Sequence, residues 1–187
     1  MATEEPEFTL ISQENSIEIR EYQPKIIARV EVEGEFDDAS SKAFKILADY
    51  IFGNNLLNGE SQKISMTAPV EMTPLAEDIV ITSAIMSSEV NHKWQVNFVM
   101  PKEYTVDTLP QPNNDQIEII KIPKEKYAVI VFSGLVRHSS YSEKAQLLND
   151  FIMANNLTQL EAIKIARYNP PWTLPFFRRN ELMVKIR

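Results

Sequence analysis

The chain has 187 residues, 44% of them hydrophobic and 24% charged, an ordinary balance for a globular protein with one substantial core. Its net charge of −7 argues against a phosphate-backbone partner, because nucleic-acid affinity rests on basic patches, and no nucleic-acid binding is expected. With no cysteine, disulfides, thiolate metal sites and cysteine nucleophiles are excluded together.

The N-terminus, MATEEPEFTL, is acidic and has neither the basic nor the apolar region of a secretory signal. No apolar run approaches the roughly 18–20 residues of a membrane helix, so a cytoplasmic protein without membrane insertion is expected. Ile17-Glu18-Ile19 opens the first strand pattern, which runs on through Ala28, Val30 and Val32 to Gly34. A helix should start after Asp37 or Asp38, with Ala43, Phe44, Leu47, Tyr50 and Ile51 on one face, and stop at Asn54-Asn55. Strands are predicted at 63–73, 79–86 and 94–100, separated by loops at 53–62, 74–78 and 87–93 and followed by a loop at 101–116. Within KISMTAPVEMTP (63–74), Ile64, Met66, Ala68, Val70 and Met72 alternate with Lys63, Ser65, Thr67, Glu71 and Thr73. Pro69 cannot donate a ladder bond and marks an edge, a bulge or a strand end. The methionines of this face are expected to point inward, either as core filling or as the wall of a pocket for a flat apolar ligand. Met86, Met100 and Trp94 on the neighbouring strands carry the same two readings.

The second half repeats the first. Ile117-Glu118-Ile119, Ala128, Ile130, Phe132 and Gly134 stand at a constant offset from Ile17-Glu18-Ile19, Ala28, Val30, Val32 and Gly34. A helix should begin at Ser140, with Glu143 completing a capping box, bury Leu147, Leu148, Phe151 and Ile152, and stop at Asn155-Asn156. Strands follow at 163–168 and 181–186, around a loop at 169–180. The chain therefore reads as one α+β domain over 1–187 with an internal repeat, about 17–100 and 117–186, and a seam at 107–116. Two β-α-β-β units of this kind can merge into a single curved sheet or a barrel with both helices on the outside, and the groove between the halves is a natural ligand site.

Catalytic signals are sparse. The four glycines, at 34, 53, 59 and 134, form no phosphate loop, and no G-x-S-x-G elbow exists. His92 and His138 fall in separate polar loops without ligand spacing, so no metal site is expected. Glu31 and Glu33 alternate with Val30 and Val32 as the solvated side of a strand. The stretch NPPWTLPFFRRNE (169–181) is different: three prolines fix a path that carries Trp172, Phe176 and Phe177, then Arg178 and Arg179. It reads as a rigid cover over the barrel end, as a pocket wall whose arginines meet ligand carboxylates, or as both.

Three segments, IEIREYQPKIIARVEVEG (17–34), KISMTAPVEM (63–72) and YNPPWTLPFFRRNELMVKI (168–186), resemble the SOUL haem-binding proteins. The resemblance implies a distorted antiparallel β-barrel of duplicated β-α-β-β units with two outer helices, which binds haem or another porphyrin or related tetrapyrrole in a mainly hydrophobic groove. A monomeric, non-catalytic carrier with a small hydrophobic or amphipathic ligand as its partner is expected. Some members place a histidine after the Ile-Arg of the first strand. Here that position is Glu21, which implies binding without histidine ligation, by apolar contacts and by basic groups for the propionates. The candidate ligand residues are Met66, Met72, Lys63, Trp172, Arg178 and Arg179. The alternative is the related gyrase-inhibitor-like effector-binding type, a binding domain or hydrolase for other amphipathic small molecules, with Glu21, Glu71 or Glu181 beside Tyr22, Tyr168 or Trp172. A buried glutamate with a raised pKa would favour the hydrolase, and a flat Met-lined groove with basic rims would favour the carrier.

Overall fold

A computed structural model describes residues 3–75 and 93–187. The strand expected at 79–86, Met86 and His92 lie outside the described residues. In chain order, β1 (Phe8–Glu14), β2 (Ile17–Tyr22) and β3 (Lys25–Glu33) lead into helix α1 (Phe36–Ile51). Then come β4 (Asn55–Leu56), β5 (Val70–Pro74), β6 (Lys93–Val99), β7 (Gln111–Pro112), β8 (Glu118–Ile122) and β9 (Glu125–Ser133). Helix α2 (His138–Ala154), β10 (Lys164–Arg167), a 3-10 turn (Pro175–Phe177) and β11 (Arg179–Lys185) complete it.

Among the described residues, nine strands form one curled antiparallel sheet, a half-barrel ordered β1-β2-β9-β11-β10-β5-β6-β3-β8, while β4 and β7 pair separately. The first strand of each half pairs with the second strand of the other: β2 lies on β9, and β8 lies on β3. The halves also meet at the short β5–β10 ladder, Met72 opposite Ile165, Glu71 opposite Ala166 and Val70 opposite Arg167.

Both helices cover the same face of the sheet. From α1, Phe36, Ala39, Ala43, Leu47, Tyr50 and Ile51 are buried, and from α2, Tyr141, Ala145, Leu148 and Ile152. They close over Ala28, Val30, Met72, Trp94, Val96, Ile165, Leu182 and Val184 in one apolar core. Leu147 lies one step off the inward stripe of α2 and is 41% exposed. The helices start earlier than the sequence suggests. Asp37 and Asp38 occupy the first turn of α1, where the helix dipole favours carboxylates. In α2, Ser140 is the third helical residue, and its hydroxyl accepts the Arg137 N–H at 2.9 Å instead of capping from outside. The first helix is closed by Gly53 at φ 128° and the second by Asn156 at φ 53°.

The strand expected from residue 63 begins only at Val70. Pro69 offers no N–H to a ladder, and upstream the bonds are irregular: the Thr67 hydroxyl donates to the Val99 carbonyl at 2.5 Å, and the Ala68 N–H to the Glu4 carbonyl at 2.9 Å. Met66, expected to face inward, is consequently 41% exposed. β1 is a strand that alternation does not announce, since all seven of its residues are exposed on the sheet edge. No helix among the described residues is long and apolar enough to cross a membrane.

Candidate functional site

Strand alternation sends every second side chain to the face turned away from the helices, and that face is ionic. Two buried glutamates are its hubs. The Glu181 carboxylate accepts from Arg20 at 3.0 Å and from the Tyr168 hydroxyl at 2.9 Å on one oxygen, and from Arg179 at 2.7 and 3.0 Å on the other. Arg20 also donates to Glu18 at 2.6 Å and to the Tyr22 hydroxyl at 3.0 Å, and the Arg179 guanidinium lies 3.9 Å above the Tyr168 ring. Glu71 pairs with Lys25 at 2.5 Å and Lys164 at 3.3 Å. Lys164 donates onward to the Tyr127 hydroxyl at 3.0 Å, which donates to Glu125 at 2.6 Å. Tyr22, Tyr127, Val129, Ala166 and Met183 pack together as a small apolar patch within this network.

Burial pushes the Glu71 carboxyl up, but the ammonium groups of Lys164 and Lys25 outweigh it and bring the pKa down to about 2. Glu71 is thus an ionised anchor and a poor proton acceptor near neutrality, the reverse of what the hydrolase reading requires. Glu181 is saturated by donors from three residues. Burial is also the leading reason that the Tyr22, Tyr127 and Tyr168 hydroxyls are pushed up, so they remain protonated donors. Glu21 points the other way along β2 and pairs with Lys124 at 2.5 Å.

The second distinctive surface is the loop between β10 and β11. Trp172 is 83% exposed, Leu174 57%, Phe176 65% and Phe177 69%. The loop is held from within. Arg178 donates to the carbonyls of Thr173 (2.7 Å) and Pro171, and the Arg179 N–H to the Asn169 side chain at 2.6 Å. The Pro175 carbonyl accepts the Gly134 N–H at 3.0 Å, and the Phe176 and Phe177 rings stand 4.5 Å apart. Arg167, at the loop's origin, lies over the Phe36 ring at 5.7 Å and donates to Ser40 of α1 at 3.3 Å.

The six ligand candidates are therefore dispersed. Met72 is fully buried in the helix-side core and lines no groove. Lys63 and Met66 are exposed on the irregular segment before Val70. Trp172 and Arg178 belong to the aromatic loop, and Arg179 turns into the ionic face. Register brings the segment that ends at Pro69 to the same end of the sheet as the loop, because Val70 pairs with Arg167. The aromatics of the loop do not pack as a cover; they stand out from it.

A family model described as "SOUL heme-binding protein" matches residues 3–185. The chain belongs to this family. No curated protein matches. Among solved structures, the C-terminal domain of EcmrR is similar with a TM-score of 0.67 at 11% identity, covering 91% of this chain and 96% of that one. A structure described as a hydrolase, from Listeria innocua, is similar with a TM-score of 0.62 at 12% identity, covering 92% of each chain. At such identities these likenesses concern the fold alone.

For a SOUL chain, the donor set bears on how iron would be held. Among the described residues no group of three or more histidines, cysteines or carboxylates is placed to bind a metal ion. The position after Ile19-Arg20 is a glutamate already engaged with Lys124. What the surface does offer is flat apolar side chains, Trp172, Phe176 and Phe177, beside the Arg178 guanidinium. The ionic face was the part hardest to foresee. Lys25 and Lys164 sit between apolar neighbours like any solvated strand side, while Arg20 and Tyr127 each stand between one apolar and one charged residue, so the pattern does not mark this face as buried.

Proposed function

We propose that this SOUL protein is a non-catalytic, monomeric carrier of haem or a related tetrapyrrole, held on the aromatic loop without histidine ligation. One observation carries the reading: four large apolar side chains, 57–83% exposed, on a loop fixed by prolines and internal hydrogen bonds. A contiguous patch of this kind on a monomer marks a binding surface. Trp172, Phe176 and Phe177 would take the ring, with half-exposed Met66 and Phe44 as further apolar area at the same end of the sheet. Arg167 and Arg178 stand near enough to the loop to attract the propionates, with modest gain at an exposed rim. When bound, haem supplies its own redox and ligand chemistry; the protein supplies a surface and an orientation.

The test is a parallel titration with haem, metal-free protoporphyrin and bile pigments, read by absorbance and tryptophan quenching. Aromatic side chains bury about 150–250 Å², worth up to about 4–6 kcal/mol at about 25 cal/mol per Å². Even a third of that is about tenfold in affinity, so Trp172→Ala and Phe177→Ala should each weaken binding at least that much. Haem and the iron-free ring should bind about equally. Affinities unchanged in both variants would overturn the reading, as would tight haem binding with none for protoporphyrin.

A further inference from the structure

The ionic face is crossed at its rim by residues 3–7, an extended strap ahead of β1. The Glu4 carbonyl accepts the Ala68 N–H at 2.9 Å, and its carboxylate the Lys102 N–H at 2.7 Å. The Glu7 carbonyl accepts the Gln23 N–H at 2.9 Å, and its carboxylate the Lys102 ammonium at 2.8 Å. Between these ties, Glu5 takes the one terminal nitrogen of Arg179 that Glu181 leaves free, at 2.9 and 3.3 Å. Phe8 lies 5.3 Å from the Tyr22 ring, and the Arg20 guanidinium stands 4.4 Å above the Phe8 ring. One short segment thus gives an anion to Arg179 and an aromatic ring to Arg20. These are the two contacts a planar aromatic anion would make with the same face.

The strap is lightly held. Every residue of β1 is exposed, its register slips between Leu10 and Ser12, and the side-chain ties of residues 4–7 are at the surface. Segments with few buried contacts open locally at low cost. The cations beneath are already oriented, Arg20 by Glu18 and Glu181, and Arg179 by Glu181 and the Tyr168 ring.

We infer that the face opposite the helices is a second binding site, for an aromatic carboxylate or comparable planar organic anion, and that residues 4–8 are its built-in occupant. The site shares no side chain with the Trp172, Phe176 and Phe177 surface. An external ligand must displace the strap, so its apparent affinity is reduced by the fraction of molecules with the strap closed.

The probe is anilinonaphthalenesulfonate, an aromatic ring system with one anionic group, followed by calorimetry and fluorescence on the full chain. Glu5→Gln alone, and Glu5→Gln with Phe8→Ala, should bind a single probe about tenfold tighter than wild type, the gain expected if the strap is closed about nine-tenths of the time. Adding Arg179→Gln should remove the gain, Trp172→Ala should leave it intact, and a synthetic peptide of residues 2–8 should compete. No gain in either strap variant, a gain that survives Arg179→Gln, a gain lost in Trp172→Ala, or a peptide that does not compete would each overturn the inference. The Trp172→Ala arm also separates this site from the tetrapyrrole surface, whose failure would leave these results unchanged.

Discussion

Replacing Glu71 by glutamine tests the ionic face directly. The carboxylate is 2% exposed and sits between Lys25 and Lys164, whose side chains are 10% and 8% exposed. Glu71→Gln removes the anion that pairs with both ammonium groups, and breaking a buried ion pair costs about 3–5 kcal/mol near neutrality. The pH dependence isolates the pairing itself. A carboxyl that moves from 4.5 unfolded to about 2 folded is linked to about 3 kcal/mol, at 1.36 kcal/mol per tenfold change in proton affinity. Because the folded pKa is depressed, the unfolded chain binds the extra proton. This stability is complete above about pH 4.5 and is lost as the pH falls towards 2. The Gln variant has no such titration. Urea unfolding of both proteins at steps between about pH 6 and 2 should show the gap between them closing by about 3 kcal/mol. A gap that stays constant across that window would refute the assignment of Glu71 as an ion-paired carboxylate.

Met72→Ala, fully buried, should cost about 2–5 kcal/mol in thermal or urea unfolding, whereas the exposed Met66→Ala should stay within about 0.5 kcal/mol of wild type. Equal costs for the two would contradict their placement on opposite sides of the surface. By crystallography, residues 17–100 and 117–186 should superpose as two copies of one β-α-β-β unit, and different folds for the two segments would end the duplication reading. The haem complex should show a broad spectrum that is the same in wild type and in the His92→Ala/His138→Ala double variant. A sharp low-spin Soret band that disappears in the variant would demonstrate histidine ligation.

The fold was legible where physical patterning is redundant. Strands β3 and β9 carry the same alternation, both helices carry an apolar stripe, and both end in residues that tolerate the left-handed conformation. The candidate site was legible only as composition. Trp172, Phe176 and Phe177 stood out, but a sequence does not say whether an aromatic loop folds inward as a cover or stands outward, because that depends on how the Arg178 and Pro175 backbone contacts hold it. In residues 63–74 the alternation rule failed twice, for different reasons. Before Pro69 no ladder exists to enforce it, so Met66 turns out to solvent. After Pro69 the ladder exists, but the curl of the sheet closes the second face, so Glu71 is as inaccessible as Met72. A period of two identifies two faces; it does not reveal that both are buried.

The placement of Glu71 at the junction of the halves suggests why a buried ionic face persists at all. Buried ion pairs seldom stabilise more than well-packed apolar groups of similar volume, and the centre of the opposite face of the same strands is an apolar core. Of the ladders that join the halves in the nine-stranded sheet, β5–β10 is the shortest, with three residue pairs against six for β2–β9 and five for β3–β8, so hydrogen bonds fix its alignment least. Slipping it by one residue would push Glu71 into the helix-side core and Met72 among the lysines, so the contrast between the two faces penalises every odd register. Lys164 reaching across that ladder to Glu71 adds a charge-specific tie at the same point. The triple variant Lys25→Met, Glu71→Leu, Lys164→Met keeps volume and removes the contrast. It should be neutral to about 4 kcal/mol more stable in urea unfolding, while its amide spectrum shows extra, exchanging resonances for residues of β5 and β10. A loss of several kcal/mol with a single set of sharp resonances would show the opposite: a network that stabilises and does not select the register.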